Sequence, residues 1–311
     1  MVNLAILYGE EKIFCKKILV FGKRMLLKMY KEKFDPRQNM LERNYEYHHT
    51  YNETPPVVDF HQHSFYEIFF FLSGDVDYII EGKTYALRPG DILLTNCSDI
   101  HRPDIRPGKP YERIVIWLEE NFFDHLKEFC GEDLSAGFRD AALKDYRLIR
   151  PDSATLSLLK QLCAKISQAK CSSEVGSGAL AGVYLTEFLV HVCRAYYNPP
   201  GLIKNDITEN KKINQLIAYI NTNLASELTL DQLSSQFYTS KYHLSRQFRQ
   251  FTGLSLYQYI VKKRLILAHN LLRSGHLATE ACFASGFSDY SNFLKVFKRE
   301  FGRTPKECLQ K

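Results

Sequence analysis

None of the eight cysteines pairs with another as C-x-x-C, and 311 residues is too long for a disulfide-stapled miniprotein. The thiols therefore read as free, in a reducing cytosol. No stretch approaches the roughly 18 consecutive apolar residues of a membrane span. The segment "KKILVFGKRMLLKMYKEK" near the N-terminus mixes basic and apolar residues. Its apolar run, Ile18 to Phe21, is too short for the core of a signal peptide. It reads as an amphipathic arm, or as sequence upstream of a later start at Met25, Met29 or Met40. A P-loop, a dinucleotide-binding fingerprint and a nucleophile elbow are also missing, so the common marks of nucleotide-dependent and hydrolytic enzymes are not here.

Acidic residues run short in only one part of the chain. From Asp206 onward there are 15 Lys+Arg against 8 Asp+Glu, whereas the preceding residues carry 26 and 27. The whole net charge of +6 therefore originates in the last third. A basic domain joined to a neutral one suggests that the basic part meets a polyanion. The length predicts about two domains, and 45% apolar residues suffice for a core.

From about residue 57 to 118 the pattern is β. "FYEIFFFLSGD", "VDYIIEGKTYALRPGDILLTN" and "YERIVIWL" alternate apolar runs with turn signals at Glu81-Gly82-Lys83 and Arg88-Pro89-Gly90-Asp91. Short, closely spaced strands argue for a sandwich or small barrel. After residue 120 the period becomes helical, with Leu156, Leu159, Cys163 and Ile166 in one stripe. A longer apolar helix, "GALAGVYLTEFLVHVCRAYY", is stopped by Asn198-Pro199-Pro200-Gly201. Leu185 and Leu189 are expected as exposed apolar positions on that helix.

The basic third reads as helix throughout and repeats itself. "YHLSRQFRQFTG" and "SNFLKVFKREFG" lie 49 residues apart, each with a phenylalanine five residues before a closing glycine. In the first unit, Thr229 and Gln232 form a capping-box pattern, and Leu230, Leu233 and Phe237 make an apolar stripe. Ser240 can cap a second helix, on which Leu244, Phe248 and Phe251 share one face. The opposite face carries Tyr242, Ser245, Arg246 and Arg249. In the second unit Phe293, Val296 and Phe297 point inward, with Ser291, Leu294, Lys295 and Lys298 outward and Tyr290, Asn292 and Arg299 nearer the edges. Helix, short turn and helix with a basic outer face is the layout of a helix-turn-helix. A solvated surface would explain one such face, but its recurrence argues for DNA contact. Arg and Lys reach guanine edges or phosphates, and Asn reads adenine.

These segments resemble the AraC/XylS family of bacterial transcription regulators. The resemblance rests on "LTLDQLSSQFYTSKYHLSRQFRQFTGLSLYQYIVKKRLILAHNLL" and "GFSDYSNFLKVFKREFGRTPKE", and covers about a hundred residues. It implies two helix-turn-helix subdomains joined by a helix around residues 256–273, with recognition helices in successive major grooves. The positions it carries over as DNA contacts are Tyr242, Ser245 and Arg246 in the first helix, and Tyr290, Ser291, Asn292 and Lys295 in the second.

"HQHSFYE" raises a different question. On one strand, His61, His63 and Glu67 would share a face, and a returning strand could bring His101 beside them. The region resembles a cupin barrel, in which these four positions hold a metal, and three histidines with a carboxylate suit divalent Fe, Mn, Zn or Ni. It also resembles the sensor barrel commonly joined to AraC-type domains, where such histidines line an effector pocket. The reading adopted is the second: His61, His63, Glu67 and His101 contact an effector, with no metal, cofactor or catalysis. These four remain the candidates should a metal bind. Phe65, Phe69 and Tyr78 would suit a sugar ring.

The expected fold class is α+β and multidomain. An N-terminal arm (1–45) precedes a cupin-like β-barrel (46–125) and a helical dimerisation segment (126–200). A linker (201–210) then leads to an all-α DNA-binding domain of two helix-turn-helix units (211–311). The expected function is an effector-controlled transcription regulator, an activator by family habit. Its partners would be operator DNA, a small molecule, RNA polymerase and a second copy of the chain, with no membrane. The competing readings are a cupin metalloenzyme with a DNA-binding tail and a constitutive regulator whose barrel only dimerises.

Overall fold

The structure is a computed structural model and describes residues 39–97, 99–144, 146–199 and 206–309; most of the expected N-terminal arm lies outside them. Strands β1 (Tyr45–Asn52), β2 (Tyr66–Ser73), β3 (Val76–Ile80), β4 (Lys83–Ala86), β5 (Ile92–Thr95), β6 (His101–Ile105) and β7 (Tyr111–Leu118) come first. Helices α1 (Glu120–Cys130) and α2 (Ala136–Leu143) follow, then β8 (Leu148–Ile149), α3 (Ser153–Cys171) and α4 (Ser177–Tyr197). All strand pairs are antiparallel. One sheet has the order β1-β7-β2-β5-β8, and the facing sheet β6-β3-β4 gains β9 (Ile207–Thr208) at its edge.

The unbroken apolar run of β2 is buried on both faces, and alternation divides it between two cores. Tyr66, Ile68 and Phe70 pack outward with Leu185, Phe188 and Leu189 of α4. Phe69 and Phe71 point inward and pack with Tyr78, Tyr85 and Tyr111. Glu67, the one charge on this strand, lies on the inward side. The β3–β4 hairpin turns at Glu81 and Gly82, both with positive φ (48° and 78°), the geometry of a type I′ turn. At the second expected turn, the Asp91 amide donates to the Arg88 carbonyl at 2.9 Å.

Two expectations need correcting. Leu185 and Leu189 are fully buried, and α4 instead exposes Leu180 and Val183. The histidines do not lie on β2, which begins only at Tyr66. Part of the expected linker is fixed. Asp206 binds Arg88 at 2.9 Å and also Arg150, itself paired with Asp91, while Ile207 and Thr208 pair with β4.

The basic third holds seven helices among the described residues: α5 (Lys211–Thr222), α6 (Leu230–Gln236), α7 (Lys241–Thr252), α8 (Leu256–Arg273), α9 (Ala278–Ala284), α10 (Tyr290–Phe301) and α11 (Pro305–Leu309). Thr229 and Gln232 form the expected capping box, Ser240 accepts from the His243 amide, and Asp289 caps α10. The bridging helix α8 starts with a second capping box, between Ser255 and Gln258.

Candidate functional site

The two helix-turn-helix units present their outer faces as expected. Leu244 and Phe248 of α7, and Phe293 and Phe297 of α10, are fully buried. On α7, Tyr242, Arg246 and Arg249 are exposed and Ser245 is half-buried; on α10, Ser291, Asn292, Lys295 and Lys298 are exposed. Tyr290 is half-buried, its ring 6.0 Å from that of Phe293, so part of it serves the core. Sequence reasoning passed over the exposed rings of Tyr257 and Phe283, which border a groove between the units together with Ser245 and Arg249. Nothing but their exposure singles them out.

The four candidate residues of the barrel converge, by a route other than a shared strand. His61 and His101 pair as an isolated antiparallel bridge, with both amide-to-carbonyl distances at 3.0 Å. The His61 ring stands 4.3 Å from that of His101, and the His63 ring 4.9 Å. Glu67 lies behind them: its carboxylate accepts from Trp117 Nε1 at 2.8 Å and from the Tyr78 hydroxyl at 3.1 Å. His63 Nε2 is 3.4 Å and His101 Nε2 3.8 Å from the same carboxylate. Burial alone would raise the Glu67 pKa, but the facing His63 outweighs it and brings it below the ordinary carboxylate range. Burial, then the neighbouring His61, pushes His101 down to about 3, so it is neutral at ordinary pH.

Beside this cluster lies a cavity of about 960 Å³, walled by both halves of the molecule. The barrel side contributes Phe60, His61, His63 and Phe65; the helical side contributes Lys262, His269, Asn270 and Arg273 of α8 with Glu300 and Phe301 of α10. His61 therefore reaches the cavity, and His63 borders it with its side chain fully buried. Glu67 and His101 do not line it; both are buried, at 4% and 0% exposure. Phe65 is on the wall, while Phe69 and Tyr78 are core.

The halves also dock directly. Glu81 at the hairpin tip receives the Ile100 amide at 2.6 Å, Lys263 Nζ at 2.8 Å and the Tyr259 hydroxyl, all buried. Ile100 and Phe60 of the barrel join the core of the first helix-turn-helix unit.

Comparison with known proteins agrees with this architecture. Residues 44–182 match the AraC-like ligand binding domain and residues 233–311 a helix-turn-helix domain. The chain belongs to the AraC family. It is an AraC-type DNA-binding regulator with an N-terminal effector-binding domain. Its relatives include the HTH-type transcriptional activator RhaS of Escherichia fergusonii, 24% identical over 253 residues, covering 80% of this chain and 87% of that protein. RhaS of Salmonella schwarzengrund is 27% identical over 251 residues, with the same coverage. Among solved structures, an apo ToxT variant from Vibrio cholerae aligns over 88% of this chain and 99% of its own at 16% identity. Its TM-score is 0.38, a likeness that lends nothing further. No described helix of this AraC-type chain is long and apolar enough to cross a membrane.

Proposed function

We propose that this chain activates transcription as a dimer. Its helices α7 and α10 read operator DNA, it contacts RNA polymerase, and a small molecule in the inter-domain cavity controls it. The observation that carries the reading is the make-up of that cavity. A ligand there touches Phe60 and His61 of the sensor and α8 of the DNA-binding domain at once. It therefore has a different affinity for docked and undocked arrangements, which is what coupling between two sites requires. Aromatic walls at Phe60 and Phe65 with polar groups at Lys262 and Asn270 suit a polar ligand such as a sugar.

The relatives are named as activators, which supports activation over repression. They are regulators rather than enzymes, which supports a non-catalytic barrel. A DNA-binding regulator works in the cytoplasm, and the seven described cysteines are all free. The dimer surface is the outer side of α3 and α4, where Leu180 and Val183 are exposed. Val183→Glu should give a folded monomer in sedimentation.

The test of the reading is operator binding. Arg246→Ala and Lys295→Ala should each weaken binding to the DNA upstream of the regulated genes by about 1–3 kcal/mol. Affinity of the wild type should fall steeply with salt as counterions are released. Unchanged operator affinity in the double variant would contradict it.

A further inference from the structure

The two helix-turn-helix units share α8. Its first half, with Leu256, Tyr259 and Ile260, belongs to the core of the first unit. Its second half, with Leu265, Ala268 and Leu272, belongs to the core of the second. One shared rod does not by itself fix two bodies, because packed helices can slide by small amounts as side chains adjust. A second point of contact, away from the rod, removes that freedom. Such a contact forms at Arg264, where the one half of α8 gives way to the other.

Arg264 Nε donates to the Leu224 carbonyl at 2.9 Å, and its Nη2 to the Ser226 carbonyl at 2.8 Å. Both carbonyls lie in the loop between α5 and α6, in the first unit. A planar guanidinium can hold two acceptors at once, which a lysine point charge does less well. Gly286, in the turn between α9 and α10 of the second unit, packs against the same loop. A Cβ on it would stand 2.1 Å from the Leu224 oxygen, 2.8 Å from Arg264 Nε and 3.1 Å from Ala225 Cα. Its φ of 92° is also left-handed, so backbone and space both call for glycine. The loop of one unit, the arginine of α8 and the turn of the other unit thus meet in the groove between the units. Lys262, two positions earlier and so about 200° around the helix, lines the effector cavity instead. The contact at Arg264 is separate from that cavity.

We propose that Arg264 is a positioning residue for operator recognition. With Gly286 it clamps the two units together and so sets one spacing for the two base clusters that α7 and α10 read. The clamp rests on α7 and α10 being the reading helices. A base pair inserted between the clusters moves the far one by about 3.4 Å along the DNA axis and turns it by about 34–36°. A clamped pair cannot follow both changes, so one helix loses its base contacts.

The test begins with the full chain, which selects its operator from random double-stranded DNA. Arg246→Ala and Lys295→Ala assign the enriched base clusters to α7 and α10, by the cluster at which each loses base preference. Affinity is then measured for the selected operator and for the same DNA with one base pair inserted between the clusters. Wild type should bind the inserted DNA at least about tenfold more weakly. Arg264→Ala should bring that ratio below about threefold, and Gly286→Ala, which forces the turn off Leu224, should do the same. Arg264→Lys, which can still reach one carbonyl, should keep an intermediate ratio. An arginine that only stabilised the fold would weaken binding to both DNAs alike and leave the ratio unchanged. Circular dichroism shows whether each variant is folded, and Arg264→Gln serves if Arg264→Ala is not. The wild-type ratio retained in a folded Arg264→Ala chain would overturn the clamp. A wild type that tolerates the inserted base pair would overturn it without any variant. Selection that enriches no sequence sinks the reading of α7 and α10 and the clamp with it, whereas enriched clusters without a spacing effect sink the clamp alone.

Discussion

The two helix-turn-helix units follow one plan but meet the sensor differently, and their closing glycines show how. Gly253 after α7 and Gly302 after α10 have nearly the same left-handed backbone, at φ 71° and 69°. A Cβ on Gly253 would sit 1.9 Å from the Phe60 ring of the barrel, whereas one on Gly302 would meet nothing within 4 Å. The first unit shares its core with the barrel through Phe60 and Ile100. The second keeps a core of its own, drawn entirely from α8 onward. Near the barrel it makes polar contacts around the cavity: Gln62 to Glu300 at 3.3 Å, with Arg273 of α8 on Glu120 at 2.9 Å. One unit is fastened to the sensor and the other stands across a cavity from it. On the proposed reading, a ligand in that cavity would act on the unit that the barrel does not hold.

The largest effect should come from the fastening itself. Lys263→Met leaves Glu81 charged and buried with only the Ile100 amide and Tyr259 as partners. Removing one member of a buried pair costs about 3–5 kcal/mol, and replacing both with apolar or neutral groups costs far less. In denaturant, the Lys263→Met chain should lose about that much, and adding Glu81→Gln should restore most of it. Arg273→Ala breaks only the half-exposed pair with Glu120 and should cost under about 1 kcal/mol. Similar losses in the two single variants would erase the distinction between the units.

Next in size is the glycine pair. Alanine in a left-handed position costs about 1–2 kcal/mol at either site. At Gly253 the new methyl also collides with Phe60, and overpacking adds about 1–3 kcal/mol. Gly253→Ala should therefore unfold at clearly lower denaturant than Gly302→Ala. Made in the Phe60→Ala background, Gly253→Ala should lose the overpacking part and cost only the shared backbone amount. Equal losses in the two glycine variants would mean that the barrel does not press on the first unit.

How much of this the sequence disclosed depends on the range of each signal. The Thr229–Gln232 capping box and Ser240 were readable because a cap and its partner lie three residues apart, whereas the bounds of α8 came with the family resemblance. The two-residue strands β8 and β9 were not readable, since so short a strand has no period. Helix α4 is apolar nearly all round, so Leu185 and Leu189 could not be told from Leu180 and Val183. The histidines were expected together on a shared strand that does not exist; the bridge between His61 and His101 assembles them instead. The fastening was invisible: Glu81 and Lys263 lie 182 residues apart, and each reads alone as a surface charge.

The smallest expected effect concerns the second unit and is read in pH. His269 of α8 is buried, with its ring 4.9 Å from that of Phe301 at the end of α10. Burial, and then the charges of Arg303 and Arg273, bring its pKa down to about 4 from the ordinary 6.5. Between those values the unfolded chain binds a proton that the folded chain refuses, so stability rises with pH across that window. The stabilisation is complete above about pH 6.5 and is lost as pH falls toward about 4. Between pH 7 and pH 5.5 this one group should account for roughly 1 kcal/mol. His269→Gln cannot titrate and should flatten the profile by that amount. If the slope were unchanged in His269→Gln, the acid sensitivity would have to come from the barrel histidines, and the second unit would have no pH response of its own.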